Sequence, residues 1–153
     1  MNTDKFEYLT VSFPDSVANL DAKAKGAWGV MNAQQMVEHM SYSIRIANGN
    51  LPMEIVTPVE NLVKVKAFMM SDKPFRENTK NAMLPETALP LTQMDMQHAV
   101  KELKNEIVFF IEVFQKEPNK IITNPFFGDL NFEEWLHLLH KHATHHAKQF
   151  GLL

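Results

Sequence analysis

Histidine is concentrated at one end of this chain. Five of its seven histidines lie in the closing stretch EEWLHLLHKHATHHAKQFGLL, residues 133–153. A neutral imidazole nitrogen binds divalent transition metals well, and imidazole also accepts or releases a proton near neutral pH. The question is therefore which of these rings share one helix face. The five are His137, His140, His142, His145 and His146.

Two of the five, His142 and His146, are predicted to lie on the apolar face of a helix. An α-helix turns about 100° per residue, so a spacing of four residues brings both rings to the side where Trp135 and Leu139 also lie. Burying an imidazole without a partner costs about 1–3 kcal/mol, and two neighbouring rings cannot easily satisfy each other. A shared divalent ion would remove that cost, so this pair is predicted to bind a metal.

The other polar residues of this helix fall elsewhere around it. His145 lies at the border of the apolar face and is a candidate catalytic residue that shuttles protons beside the metal. The alternative is a histidine that titrates freely at the rim. Gln149 is either a hydrogen-bond partner near the metal or an ordinary interior amide. The predicted charged face comprises Glu133, His137, His140, Lys141 and Lys148.

A metal site needs a third ligand, and His39 in QQMVEHMSYS is the candidate. It lies beside the apolar stripe of its predicted helix, not within it. A helix in a bundle contacts two neighbours, so this flank can still face the last helix. A lone histidine at such a position is otherwise exposed or satisfied within the protein. The predicted metal ligands are His39, His142 and His146.

Capping residues mark the starts of most of the long helices. Asn32 with Gln35, and Asn131 with Glu134, match the capping box, in which the side chains of the cap and of the third helical residue bond to each other's backbone. In TPVE, residues 57–60, a threonine cap and a proline at the first helical position predict another start. The predicted helices span about residues 33–47, 58–70, 92–116 and 132–151. They predict an all-α fold, an up-and-down four-helix bundle forming one domain over residues 1–153.

The remaining segments are less regular. FEYLTVSF, residues 6–13, is predicted as a short strand or an extended lead-in, and SVANLDAKAKGAW, residues 16–28, as a further helix. Residues 71–91 contain three prolines and are predicted as a long loop that covers one end of the bundle. NPFFG, residues 124–128, is predicted as a turn before the last helix, with its phenylalanines as core anchors.

Composition excludes several classes of protein. The chain has 153 residues, no cysteine and a net charge of −3, so disulfides, thiolate metal sites and cysteine nucleophiles are excluded, and there is no basic surface for nucleic acid. The start lacks the pattern of a signal peptide, and the longest apolar run, IVFFIEVF, is too short to span a bilayer. We therefore expect a cytoplasmic protein without nucleic-acid or membrane partners.

Two motifs carry a resemblance to a known family. QQMVEHM in the early helix and HKHATHHAKQFG at the end are similar to segments of the DinB-like superfamily, over about residues 28–153. The resemblance implies a DinB/YfiT-like four-helix bundle with an open metal site. It implies one ligand from the early helix, His39, and two from the last, His142 and His146. Related members act as thiol-dependent transferases, isomerases or metal-dependent hydrolases.

A three-histidine site predicts a metal-dependent enzyme, a hydrolase or a thiol-dependent transferase. Zinc or nickel suits imidazole ligands best, with iron or manganese as alternatives. The expected partners are a small-molecule substrate and, in the transferase case, a thiol cosubstrate, with a homodimer as one expected assembly. The alternative is a non-catalytic, metal-stabilised helical bundle or dimeric binding protein. A third hypothesis is a stress-linked sensor that binds a partner protein.

Overall fold

The computed structural model describes residues 1–77 and 89–153. Over these ranges the chain is mostly helical, with one two-stranded antiparallel sheet. None of the helices in the described ranges has the length and apolar character needed to cross a membrane. The elements are α1 (Thr3–Glu7), a π-helical segment (Tyr8–Ser12), α2 (Phe13–Ala18), α3 (Ala33–Ala47), α4 (Val59–Met70), α5 (Met96–Lys116), β1 (Ile122–Asn124), β2 (Gly128–Leu130) and α6 (Phe132–Gln149).

Helix α3 begins and ends where its capping residues predict. The Asn32 side chain accepts a hydrogen bond from the backbone N–H of Gln35 at 2.9 Å, and the Gln35 side chain accepts one from the Asn32 N–H at 2.8 Å. The pair satisfies two backbone donors that the first turn of a helix leaves free. At the other end Gly49 follows with a φ of 83°, a conformation that glycine adopts at little cost. The predicted span, residues 33–47, is confirmed.

The same device starts α6. The Asn131 side chain accepts from the Glu134 N–H at 2.9 Å, and the Glu134 carboxylate accepts from the Asn131 N–H at 3.0 Å. Gly151 follows the helix with a φ of 73°, as the C-terminal glycine predicts. Both helices that carry the predicted ligands therefore have their first residues set by local sequence.

The other two long helices begin later than predicted. Pro58 itself occupies the cap position of α4, and the Thr57 hydroxyl donates to the carbonyl of Phe126 at 2.8 Å and does not cap the helix. Helix α5 begins at Met96 and not near residue 92, because the Asp95 side chain accepts from the backbone N–H of His98 and so fixes the first turn. The cap position is therefore occupied by Pro58 in α4 and by Asp95 in α5.

The N-terminal prediction was wrong. Residues 6–13 are helical, neither a strand nor an extended lead-in, and the helix predicted over residues 16–28 ends at Ala18. Leu9, Phe13 and Val17 recur every four residues and are fully or almost fully buried, so one apolar helix face packs into the core. This segment contacts α5 and α6. The period of four outweighs the β-forming residues Tyr8, Thr10 and Val11.

A hairpin precedes α6. The predicted turn in NPFFG is confirmed, but it joins two strands that were not predicted, with Asn124 opposite Gly128. The Asn124 side chain accepts from the N–H groups of Phe126 and Phe127 at 2.8 and 3.0 Å, which closes the turn. The Trp135 indole donates to the carbonyl of Ile122 at 3.0 Å and holds the hairpin against α6.

The predicted loop over residues 71–91 falls partly outside the described residues. Residues 71–77 and 89–91 contain no helix or strand, and residues 78–88 are not described. Within the described part, the loop is tied to the helices. The Glu38 carboxylate on α3 accepts from the backbone N–H and the hydroxyl of Thr92, each at 2.7 Å. The chain that follows the loop is therefore anchored beside the predicted ligand helix α3.

The core places α3 beside α6. Helix α3 packs against α5 and α6, and α6 also contacts α4 and the N-terminal helices. One continuous cluster of buried apolar side chains joins these elements. Its largest fully buried members on the long helices are Met36, Met40, Ile44, Met69, Leu103, Phe110, Trp135, Leu136 and Leu139.

Lys141 corrects the predicted charged face of α6. Its side chain is only 7% exposed, and its ammonium group donates to the carbonyls of Phe68, Met69 and Ser71 at 3.0, 3.2 and 3.0 Å. These carbonyls end α4, where the helix leaves acceptors without partners and carries partial negative charge. The charged face is therefore partly covered by the C-terminus of α4. A projection of α6 alone cannot show this, because it does not include the position of α4.

Two histidines predicted on that charged face are also half-buried. His137 lies with its Nδ1 atom 2.7 Å from the ammonium group of Lys5, and the His140 ring packs edge-on against Tyr8 at 5.3 Å between centroids. The N-terminal helical segment covers this side of α6, so the two rings pack against protein more than they face solvent.

Replacing Lys141 by methionine should lower the free energy of unfolding by about 1–3 kcal/mol, because the carbonyls that end α4 lose their donor while the buried volume stays similar. The matched control is Lys148→Met, which removes the same charge from an exposed position of the same helix and should change stability by less than about 0.5 kcal/mol. Urea unfolding of the chelator-treated protein measures both. Equal losses in the two variants would contradict the capping role of Lys141.

Candidate metal centre

Three imidazole rings from two helices meet at one point. The Nε2 atom of His142 on α6 lies 3.0 Å from Nε2 of His39 on α3, and 2.9 Å from Nε2 of His146, one turn further along α6. One nitrogen from each of the three rings lies within 4.8 Å of the other two. The structure therefore brings the three predicted ligands together. This includes His39, whose position beside the apolar stripe of α3 allowed a contact with α6 but did not require it.

The helix geometry explains why the rings converge. A spacing of four residues stacks His142 and His146 on one face of α6, with ring centroids 4.7 Å apart. The His39 ring stands edge-on to both, at centroid distances of 4.9 and 5.0 Å. The capping boxes set where α3 and α6 begin, and the packing of α3 against α6 determines which turns of the two helices face each other.

The three nitrogens cannot all be satisfied by hydrogen bonds to one another. A neutral imidazole nitrogen carries either one proton or one lone pair. Nε2 of His142 has two nitrogen neighbours at hydrogen-bond distance. It can donate to one of them or accept from one of them with good alignment, while the other contact either shares the same proton or lone pair poorly or places two lone pairs or two protons together. One well-aligned hydrogen bond is thus the most that this nitrogen can contribute, and in the tautomers that can bind a metal, lone pairs are left over at the centre of the cluster.

Protonation does not resolve the conflict. Burial lowers the pKa of His39 to about 4, with the nearby His145 adding to the shift. Burial, followed by the neighbouring His39, lowers the pKa of His146 to about 3. Burial and the surrounding histidines also hold the pKa of His142 well below its usual range. At neutral pH the three rings are therefore neutral, which is the state in which imidazole binds a metal.

The spacing of the nitrogens fits a shared ion. A zinc–nitrogen bond is about 2.0–2.1 Å, so two nitrogens on one ion lie about 2.9 Å apart at a right angle and about 3.4 Å apart at the tetrahedral angle. The observed 2.9 and 3.0 Å lie at the lower end of this range. Small outward movements of the rings would admit one ion, and its positive charge would engage the lone pairs that hydrogen bonding leaves over.

His145 lies next to the cluster without joining it. Its ring is half-buried, 5.1 Å from the His146 ring and 5.5 Å from the Trp28 ring between centroids. Burial lowers its pKa, and a hydrogen bond with the backbone of Phe75 partly opposes that shift. The ring is therefore packed among aromatic groups and does not stand free at the rim. Its predicted catalytic role stays a prediction.

Aromatic side chains form one side of the centre. The Phe75 ring lies 6.3 Å from the His142 ring and 6.1 Å from the His145 ring, edge-on to both, and stacks on Phe127 at 6.4 Å. Sequence reasoning missed Phe75, because it lies in a segment without helical periodicity. Phe127 was predicted as a core anchor, and in the structure it is half-buried beside Phe75.

Gln149 contacts the centre through His146. Its side-chain oxygen lies 2.7 Å from Nδ1 of His146, and its amide nitrogen donates to the carbonyl of Trp28 at 2.8 Å. Of the two alternatives for Gln149, hydrogen bonding near the predicted ligands is the one that the structure shows.

No protein-family model, curated protein or solved structure matches this chain. Membership of the DinB-like superfamily therefore stays a prediction based on the resemblance of QQMVEHM and HKHATHHAKQFG. What is known of the site comes from the positions, burial and charges of this chain's own residues.

Acid should destabilise the metal-free protein through these buried rings. Their folded-state pKa values lie below the usual 6.5, so the unfolded chain binds more protons as the pH falls. Their contribution to stability is complete above about pH 6.5 and decreases towards about pH 4. Urea unfolding of chelator-treated protein across this interval should show that decrease, and it should be smaller in His142→Leu. A wild-type free energy of unfolding that stays constant from pH 7 to pH 4.5 would contradict the neutral, buried state of the cluster.

Proposed function

We propose that this protein is a metal-dependent enzyme that acts on a small molecule, as a hydrolase or a thiol-dependent transferase, with a divalent ion held by His39, His142 and His146. One observation carries the proposal. Nε2 of His142 lies 3.0 Å from Nε2 of His39 and 2.9 Å from Nε2 of His146, and this one nitrogen can make only one well-aligned hydrogen bond to the two neutral rings beside it. The lone pairs left over in the metal-binding tautomers are what a cation would bind.

The ligand set suits catalysis as well as binding. Three neutral ligands leave a divalent ion its full charge and at least one coordination position for a non-protein group. When bound, such an ion acts as a Lewis acid that lowers the pKa of a coordinated water or thiol. Zinc or nickel suits imidazole nitrogen best, and iron or manganese are further candidates. The chemistry of the ligands thus supports hydrolysis and thiol transfer equally.

The surrounding residues would shape the reaction. Phe75 presents aromatic surface beside His142, with Phe127 stacked on it, and the two rings would exclude water from one side of a bound substrate. His145 has a ring beside His146 and a lowered pKa, so at neutral pH it is mostly uncharged and able to accept a proton. These two features support a proposal in which the substrate binds on the aromatic side of the site and His145 transfers protons.

The fold proposal is a DinB-like four-helix bundle. Helices α3, α4, α5 and α6 would be its four members, with α3 carrying one ligand and α6 the other two. The contacts of α3 with α5 and α6, and of α4 with α6, support this arrangement. The short N-terminal helices and the hairpin before α6 would be additions to that bundle.

Metal content gives the first test. Protein purified without a histidine tag should contain about one divalent ion per chain, and the triple variant His39→Ala, His142→Ala, His146→Ala should contain almost none. His145→Ala is the matched control, because it removes a neighbouring imidazole outside the ligand set and should keep its metal. Elemental analysis after dialysis measures all three. Equal, substoichiometric metal in wild type and triple variant would overturn the proposal.

A second test separates an enzyme from a metal that only stabilises the fold. In cobalt-loaded protein, acetohydroxamate or a small thiol should change the visible absorption spectrum at millimolar concentration, because an open coordination position accepts either ligand. The non-catalytic alternative predicts that chelation lowers the melting temperature while neither compound changes the spectrum. A lower melting temperature without any spectral change would show that the metal only stabilises the fold, and it would overturn the proposed enzyme.

A further inference from the structure

The amide group of Gln149 has only one orientation compatible with its neighbours. On one side it lies 2.8 Å from the backbone carbonyl oxygen of Trp28, which can only accept a hydrogen bond. The NH₂ end of the amide must therefore face Trp28. Its oxygen then faces Nδ1 of His146, at 2.7 Å. The backbone of Trp28 thus determines which end of Gln149 reaches the histidine.

This orientation determines where the proton of His146 lies. The oxygen of Gln149 can only accept, so Nδ1 of His146 must carry the proton, and Nε2 of the neutral ring then carries a lone pair. That lone pair points at Nε2 of His142, 2.9 Å away. We infer that Gln149 is a positioning residue that holds His146 in the Nδ1-protonated tautomer, the form in which Nε2 can bind a metal.

The surroundings of Gln149 are built to hold it in place. Its side chain is 3% exposed, and its backbone carbonyl accepts from the N–H of Ala27 at 2.7 Å. A Cβ atom added at Gly26 would lie 2.8 Å from Cγ of Gln149 and 2.9 Å from the Trp28 carbonyl oxygen, so residue 26 has no room for a side chain. Residues 26–28 therefore contact Gln149 through both its backbone and its side chain.

The tautomer of His146 should affect how tightly the site binds a metal. Groups that orient a ligand histidine through its second ring nitrogen typically contribute about 10–100-fold to metal affinity. The part of this inference that concerns metal affinity rests on the proposed function. The part that concerns the tautomer does not, because it is a property of the metal-free protein.

The tautomer is tested first, without metal. In chelator-treated, ¹⁵N-labelled protein at neutral pH, the imidazole ¹⁵N shifts of His146 should identify Nδ1 as protonated and Nε2 as unprotonated. Gln149→Glu keeps an acceptor oxygen and should keep this tautomer. Gln149→Met has a similar length without an acceptor and should lose the preference. A wild-type His146 protonated at Nε2, or a Met variant indistinguishable from wild type, would overturn the inference.

Zinc affinity is tested next, by competition with a chromophoric chelator. Both variants lose the NH₂ group that donates to Trp28, and Gln149→Glu also turns an oxygen towards the Trp28 carbonyl, so purely structural damage should be at least as large in the Glu variant as in the Met variant. Gln149→Met should bind zinc about 10–100-fold more weakly than wild type, while Gln149→Glu should stay within about tenfold. An equal loss in the two variants would show a structural role only and would overturn the positioning role.

The two measurements also separate this inference from the proposed function. If wild-type protein shows the predicted tautomer but binds no metal, the proposed function fails and the role of Gln149 in fixing the ring stands. If it binds metal at the three histidines while His146 shows the other tautomer in the free protein, the role of Gln149 fails and the metal site stands.

Discussion

The three Nε2 atoms at the centre of this molecule cannot all be satisfied by hydrogen bonds to one another. Two contacts of about 3 Å share the Nε2 atom of His142, and burial keeps all three rings neutral. In water such a cluster would separate or protonate. Here the packing of α3 against α6 prevents the first, and burial disfavours the second. The rest of the site follows from that constraint, since a shared cation is the simplest group that relieves it.

Helix α6 makes polar contacts on several sides that hold the site. On one side, Lys141 binds the carbonyls that end α4. On another, Trp135 binds the hairpin, and near its C-terminus Gln149 binds both His146 and the backbone of Trp28. The bonds of Lys141 to the end of α4 and of Gln149 to Trp28 join α6 to segments distant in sequence. The bond of Trp135 joins it to the preceding hairpin, and the bond between Gln149 and His146 lies within α6. The orientation of the two ligand rings on α6 therefore depends on contacts that the helix alone could not supply.

Local signals predicted part of this structure well. The capping boxes at Asn32 and Asn131 gave the starts of α3 and α6, and the four-residue spacing of His142 and His146 gave a shared face. Features set by distant packing were not predictable in this way. The burial of Lys141 depends on the end of α4, and the place of Phe75 beside the cluster depends on a segment without periodicity. The meeting of His39 with α6 was permitted by spacing but required the tertiary fold.

Diffraction from crystals grown with zinc would show directly whether one ion lies between the three histidine rings. An anomalous difference peak measured at the zinc edge should lie between the Nε2 atoms of His39, His142 and His146, with three bonds of about 2.0–2.1 Å. The three rings should move apart only slightly to admit the ion. Crystals that contain zinc elsewhere, while these three rings remain in direct contact with no peak between them, would contradict it.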